Sequence, residues 1–260
     1  MNSEPALPHP IQPPPLEPPL PDTLDLKCLF ESLLRRPQAL IARLFIPDHR
    51  ATGRFVMICL AAVLLFGIVL GCFAKHEQLW AAPLKIICGL AFASVICFPS
   101  LYIFATLAGA RISLQQLAAC LAGSLALAGL LLLGFAPAVW IFAESTDSLG
   151  FMGTLAIGSW VIALVFALKF LKASVVHGGG TQNAPFTVWS IVFLLVTLQM
   201  TTSLRPILGR SPDFLTQEKK FFIQHWFESV GETLTPENKK TAAVPAPQSG
   251  EGGRNPYLEK

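Results

Sequence analysis

Residues 55–74 read FVMICLAAVLLFGIVLGCFA, a run of 20 residues without a charged side chain. A helix needs about 20 consecutive apolar residues to cross the hydrocarbon core of a bilayer. Backbone N–H and C=O groups find no water there, so a crossing segment has to pair them internally as a helix. This stretch therefore predicts a transmembrane helix, and it sets the class of the whole chain as an all-α bundle of membrane-spanning helices.

Four more segments downstream have the same character. They cover residues 86–110, 117–142, 148–168 and 185–204, and Pro99 is expected to break the first of them while Pro137 kinks the second. With residues 55–74 they predict a polytopic bundle of five spans within residues 54–205.

The placement of charge supports a lipid-facing surface. The chain is 53% hydrophobic and 13% charged, whereas soluble domains carry about 25% charged residues. No acidic residue lies between Glu77 and Glu144, or between Asp147 and Asp213. The basic residues sit at the flanks of the spans and not in a patch interleaved with aromatics, which argues against nucleic acid as a partner.

The segments outside the bundle fall into four classes. Residues 1–22 are rich in proline and predict a disordered cytosolic tail with polyproline II character and no cleavable signal peptide. Residues 23–53 predict two juxtamembrane amphipathic helices, with Asp22 or Thr23 as the first cap, Pro37 opening the second helix and Pro47 ending it. Residues 206–231 predict an interfacial amphipathic helix, and residues 232–260 a second disordered tail.

The sequence fits two positions for the juxtamembrane helices. Apolar residues and Arg35, Arg36 and Arg43 suit a helix that lies in the plane of the membrane interface. The same pattern suits a helix that packs on the cytosolic end of the bundle.

The distribution of Lys and Arg predicts a cytoplasmic amino terminus. With that orientation, most of the Lys and Arg residues beside the spans lie on the cytoplasmic side, as the positive-inside rule requires. Arg205 and Arg210 oppose this orientation, because five spans place the carboxyl tail outside. We expect an integral protein of a bacterial inner membrane.

The sequence contains few side chains arranged for catalysis or for metal binding. It therefore predicts a protein that is not an enzyme and has no cofactor or metal site. No Asp, Glu, His, Lys or Arg lies deep in a predicted span, where coupled transporters and intramembrane metalloproteases need such a group. The six cysteines are expected to be free thiols, with a Cys72–Cys88 disulfide as the alternative. An interfacial lipid enzyme would need His76, His177 or His225, the last of which lies three residues before Glu228.

Small residues at intervals of four predict close helix packing. In membranes such residues let helix backbones approach each other. The pairs are Gly67 and Gly71, Gly89 and Ala93, Ala119 and Gly123, and Gly150 and Gly158, the last with Thr154 between them. They serve packing within one bundle, or contact with another membrane protein or a second copy of the chain.

Four polar side chains are candidates for contact with a lipid headgroup or a protein partner. Arg111 lies in a predicted turn, Gln199 is the deepest strongly polar side chain of the last span, and Arg205 and Arg210 follow that span. Gln199 suits a hydrogen bond between helices or the wall of a polar cavity. The arginines suit phosphate groups.

Residues 101–137, reading LYIFATLAGARISLQQLAACLAGSLALAGLLLLGFAP, resemble the middle of Yip-type five-span membrane proteins. In that family a helix ends in a small-residue turn with Gly and a basic residue, and Ser with a polar residue opens the next helix. The long carboxyl tail and the run from Gln199 to Gly209 depart from the family pattern. The resemblance implies a non-enzymatic role in membrane organisation or protein association, and it carries over no catalytic residue.

Two functions fit these observations. The first is a non-catalytic scaffold or regulator of partner proteins or of membrane organisation. The second is a transporter or channel subunit for a neutral or lipid-like solute, with Gln199 and the breaks at Pro99 and Pro137 on its pathway. A dry, tightly packed bundle favours the first, and kinked helices around a polar cavity favour the second.

Overall fold

The computed structural model describes residues 25–46, 48–74, 78–145 and 149–203, and its regular secondary structure in those ranges is entirely helical. Arg205, Arg210, both predicted tails and the predicted helix at 206–231 lie outside the described residues. The helices are α1 (Leu26–Arg35), α2 (Pro37–Leu44), α3 (His49–Ala74), α4 (Gln78–Leu107), α5 (Leu114–Ser145), α6 (Leu149–His177) and α7 (Asn183–Ser203).

Helices α3 to α7 are long and apolar enough to cross a membrane, which confirms the predicted class. Their bounds differ from the predicted spans. Helix α3 begins at His49 and α4 at Gln78, both earlier than expected. Helix α6 continues to His177, so residues 172–177 are helical and not part of a loop. These predicted spans are too short because each was ended at a charged residue. Charged side chains near the ends of a membrane helix can extend toward the interface, so the helix can continue past them.

The prolines do not interrupt their helices. Pro83 and Pro99 lie inside α4 and Pro137 inside α5, and both helices are continuous through them, so the predicted break at Pro99 is wrong. Pro99 has no N–H, so the carbonyl oxygen it leaves without a helix donor is that of Val95, four residues back. Two residues before Pro99, the Cys97 carbonyl oxygen accepts a hydrogen bond of 2.8 Å from the Ser100 hydroxyl and one of 3.2 Å from the Trp189 indole.

The five long helices pack in a simple order. Helix α3 packs along α5 on one side and α4 on the other, while α6 packs on α5 and α7 on α4. Gly67 sets the approach of α3 to α4, because a Cβ built there would lie 2.5 Å from the Pro83 Cα atom. Gly129 sets the approach of α5 to α3, and its Cβ position is 3.3 Å from the Cys59 carbonyl oxygen.

The juxtamembrane helices pack on the end of the bundle. Helix α1 starts after Asp25, which occupies the N-cap position without a side-chain capping bond, so the predicted cap at Asp22 or Thr23 is wrong. Pro37 opens α2 as predicted. Leu29 and Leu33 of α1 are buried, as are Leu40, Ile41 and Leu44 of α2. These residues place α1 against α3 and α5, and α2 against α5 and α6.

Candidate functional site

Two connecting segments are joined by backbone hydrogen bonds at the end of the bundle that carries α1 and α2. The Arg111 N–H donates to the Gly178 carbonyl oxygen at 2.8 Å, and the Thr181 N–H donates to the Ala108 carbonyl oxygen at 2.9 Å. The turn between α4 and α5 therefore lies beside the loop between α6 and α7. These bonds fix the ends of four transmembrane helices relative to one another.

Both segments begin with the same helix-ending motif. Gly109 and Gly179 have positive φ angles, 92° and 95°, in the left-handed region that favours glycine. The next residue in each case donates its N–H to a carbonyl five residues back, Ala110 to Ala105 and Gly180 to Val175. This is the Schellman arrangement, which satisfies the last carbonyl groups of a helix in a sharp turn.

The start of α5 is held by two kinds of contact. Ser113 and Gln116 form a reciprocal capping box, in which each side chain accepts the backbone N–H of the other, at 3.2 and 3.0 Å. The Gln116 amide also donates a 2.7 Å hydrogen bond to the Phe45 carbonyl oxygen at the end of α2. The Gln116 side chain therefore caps α5 and also links α2 to α5 through a hydrogen bond.

An aromatic contact completes this region. The Phe45 and His177 rings meet edge to face with centroids 4.8 Å apart. A Cβ on Gly178 would lie 3.3 Å from the Phe45 ring, so the loop after α6 approaches that ring closely. We call Phe45, residues 108–116 and residues 177–182 the connector cluster.

The end of the bundle around the connector cluster is basic. Among the described residues, nine Lys and Arg lie on or near this end, against three carboxylates, Asp25, Glu31 and Asp48. The basic residues are Lys27, Arg35, Arg36, Arg43, Arg50, Arg54, Arg111, Lys169 and Lys172. At the opposite end, Glu144 is exposed in the last turn of α5.

Of the predicted polar candidates, the two that the structure describes, Arg111 and Gln199, lie far apart. Arg111 has an exposed side chain in the connector cluster. Gln199 is half-buried in α7, 16 residues beyond Asn183 at the start of that helix. At about 1.5 Å per residue it lies roughly 24 Å from the cluster along the helix axis.

The predicted small residues differ in their surroundings. Gly67, Gly71, Gly89, Ala93, Ala119 and Gly123 are buried. The Cβ position of Gly123 lies 3.3 Å from the Phe170 ring, which places it in the contact between α5 and α6. Gly158 faces open space, with no atom within 4 Å of its Cβ position. The structure does not describe the surroundings of Gly150.

Sequence reasoning missed the polar contact between α4 and α7. The Trp189 indole N–H lies 3.2 Å from the Cys97 carbonyl oxygen and 3.1 Å from the Ser100 hydroxyl. Its ring stacks on Phe193 at 5.0 Å between centroids. The spacing of Phe186, Trp189 and Phe193 along one helical face is the signal that predicts such a stripe.

Lys85 precedes the predicted span at residues 86–110, but it lies inside α4 and is 5% exposed. The sequence placed it outside because its charge ended the apolar run. The six cysteines are free thiols, with Cys59, Cys97 and Cys120 buried, so no Cys72–Cys88 disulfide is formed. Among the residues described, no three His, Cys, Asp or Glu side chains converge as a metal site would require.

Buried hydroxyl groups in the bundle are hydrogen-bonded within their own helices. Each donates to a carbonyl oxygen three or four residues back, at 2.7 to 3.1 Å. The hydroxyls are those of Ser94, Ser124, Ser159, Ser174 and Thr197. Such bonds satisfy the hydroxyl hydrogens within one helix.

Comparison with protein-family models, with curated proteins and with solved structures finds no match to this chain.

Proposed function

We propose that this protein is a non-catalytic membrane protein that scaffolds or regulates partner proteins or organises the membrane around it. The internal bonding of the buried hydroxyls carries this proposal. A solute pathway needs polar groups that turn toward a shared cavity, whereas Ser94, Ser124 and Ser159 direct their protons to their own helix backbones. Close approaches such as Gly67 to Pro83 add to the case for a dry, packed bundle.

The basic end of the bundle supports a cytoplasmic amino terminus in a bacterial inner membrane. Lys and Arg within short segments beside the spans are retained on the cytoplasmic side. The connector cluster and helices α1 and α2 then face the cytoplasm. The opposite end, where Glu144 is exposed, then faces away from it.

Helix α6 is the proposed surface for a membrane-protein partner or a second copy. Thr154 and Ile162 are exposed on it, and Gly158 between them leaves open space for another helix backbone. The Yip-type resemblance supports the same class of role, because it implies protein association in the membrane. Helices α3, α4, α5 and α7 then form the frame that holds α6.

Photocrosslinking in intact cells tests the role. Benzoylphenylalanine at Ile162, which is 46% exposed, is expected to give a discrete protein adduct, identified by mass spectrometry and reproduced from Thr154. Benzoylphenylalanine at Ala163, which is fully buried, is the matched control and should give no intermolecular product. Lipid adducts alone at both Ile162 and Thr154 would contradict a partner on α6.

A flux measurement tests the transporter alternative directly. Purified protein in liposomes is expected to leave the permeability for small neutral solutes at the level of empty vesicles. Solute flux that Gln199→Ala abolishes would replace the scaffold proposal with the transporter. Ser190→Ala, on the same helix but nearer the connector cluster, controls for general damage to α7, because its hydroxyl bonds only the Phe186 carbonyl at 2.8 Å.

A further inference from the structure

Helix α1 presents two apolar stripes, of which the bundle covers one. Leu29 and Leu33 are 0% and 1% exposed and pack on the bundle. Leu26, Phe30 and Leu34, spaced four residues apart, are 46%, 46% and 47% exposed. Residues at this spacing share one helical face, so about half of each of these large side chains is left uncovered along a continuous line.

The order of faces around α1 indicates what covers this second stripe. Successive residues of an α-helix are about 100° apart. Phe30 therefore lies about 100° from the buried Leu29, and Glu31 about 100° further round with Lys27 and Arg35 near it. Around the axis of α1, the face buried against the bundle is followed by the exposed apolar face and then by the charged face. A helix at the membrane surface beside a bundle has this order, because one flank meets protein, the next meets acyl chains and the third meets water.

The stripe lies at the same end of the molecule as exposed apolar residues of α3. Helix α1 packs against α3, and α3 exposes Val56 and Met57, the latter 64% exposed, two turns after its start. Ile46, directly after α2, is also 56% exposed. These apolar residues belong to one end of the molecule, where α3 enters the bilayer.

The charge around the stripe selects the type of lipid. Lys27 borders the stripe on α1, and Arg35, whose side chain is 77% exposed, forms a 3.3 Å ion pair with Glu31. Arg50 lies in the first turn of α3 at the same end. Basic residues at a membrane surface are attracted to anionic lipids.

We infer that α1 is a binding surface for anionic phospholipid. Leu26, Phe30 and Leu34 enter the boundary between headgroups and acyl chains, and the neighbouring basic residues contact headgroup phosphates. The inference requires a bundle embedded in a membrane, but it does not depend on the scaffold role. The crosslinking test at α6 and the test below can therefore fail separately.

The test uses the full chain reconstituted in vesicles of phosphatidylcholine and phosphatidylglycerol at two to one. Benzoylphenylalanine is placed at Phe30 or at Leu34, with Glu31 on the charged face as the matched control and Met57 as the reference for ordinary lipid contact. We expect lipid adducts at Phe30 and Leu34 and none at Glu31. The share of phosphatidylglycerol among these adducts should be at least twice that at Met57.

A second variant isolates the charge. Lys27→Gln with Arg35→Gln should keep the lipid adducts at Phe30 while lowering the phosphatidylglycerol share to the Met57 value. Each sample is first checked for a single peak on gel filtration and an unchanged melting temperature. The surface is disproved by absent or protein-only adducts at both Phe30 and Leu34, and its anionic preference by a phosphatidylglycerol share equal to that at Met57.

Discussion

The indole nitrogen of Trp189 lies 3.2 Å from the carbonyl oxygen of Cys97, across the contact between α7 and α4. The bond gives α7 a polar attachment to α4 in addition to the stacking of Trp189 on Phe193. Helix α7 packs mainly on α4, so this contact governs how firmly the last span is held.

Trp189→Phe is expected to lower the free energy of unfolding by about 1 kcal/mol, the range measured for hydrogen bonds between membrane helices. Phenylalanine keeps a stacking ring but loses the indole donor. Trp160→Phe is the matched control, because Trp160 is also buried and its indole nitrogen has no hydrogen-bond partner in the described structure. Thermal unfolding in detergent measures both. Equal destabilisation of the two variants would show that the bond contributes nothing beyond ring volume.

Gly67→Ala is expected to destabilise the bundle by about 1–3 kcal/mol, the usual cost of overpacking. The new methyl group would lie 2.5 Å from the Pro83 Cα atom, and backbone cannot move aside as a flexible side chain can. Gly134→Ala, with no atom within 4 Å of its Cβ position, is the control and should be neutral or slightly stabilising. The same melting measurement applies, and a neutral Gly67→Ala would contradict the close approach of α3 to α4.

Gln116→Ala is expected to loosen α2 more than Ser113→Ala does. Each change removes one of the two bonds of the α5 capping box, at about 1 kcal/mol, but only the first removes the 2.7 Å bond to the Phe45 carbonyl oxygen. Hydrogen–deuterium exchange over residues 37–46 should therefore be faster in Gln116→Ala alone. Similar exchange in the two variants would mean that the bond does not hold α2 in place.

Gly109→Ala and Gly179→Ala are each expected to cost about 1–2 kcal/mol, because a residue with a Cβ is strained at positive φ. Gly53→Ala, in α3 with open space around its Cβ position, is the control and should not destabilise. Hydrogen bonds join the two connecting segments, so the double variant should be less destabilised than the sum of the single ones. Strict additivity in thermal unfolding would indicate that the segments act independently.

Much of the architecture could be predicted from local sequence, but not the sites of contact. Pro37 opens α2 as predicted because its fixed φ angle suits a first helical turn. Pro99 was expected to break α4, and it does not; close to it, the Trp189 indole donates to the Cys97 carbonyl oxygen. Trp189 is 92 residues away in the chain. No pattern within a single span reveals such a partner.

The sequence by itself determined that this is a membrane bundle of five spans, because the bilayer imposes a rule on every crossing segment alone: enough apolar length and a helical backbone. The tertiary structure decided which faces meet. Gln116 reaches Phe45 across 71 residues, Gly67 meets Pro83 on the next helix, and α1 leaves Phe30 uncovered while burying Leu29. All sides of a membrane helix are apolar, so the pattern of hydrophobicity does not distinguish lipid from protein, and only packing between helices makes that choice.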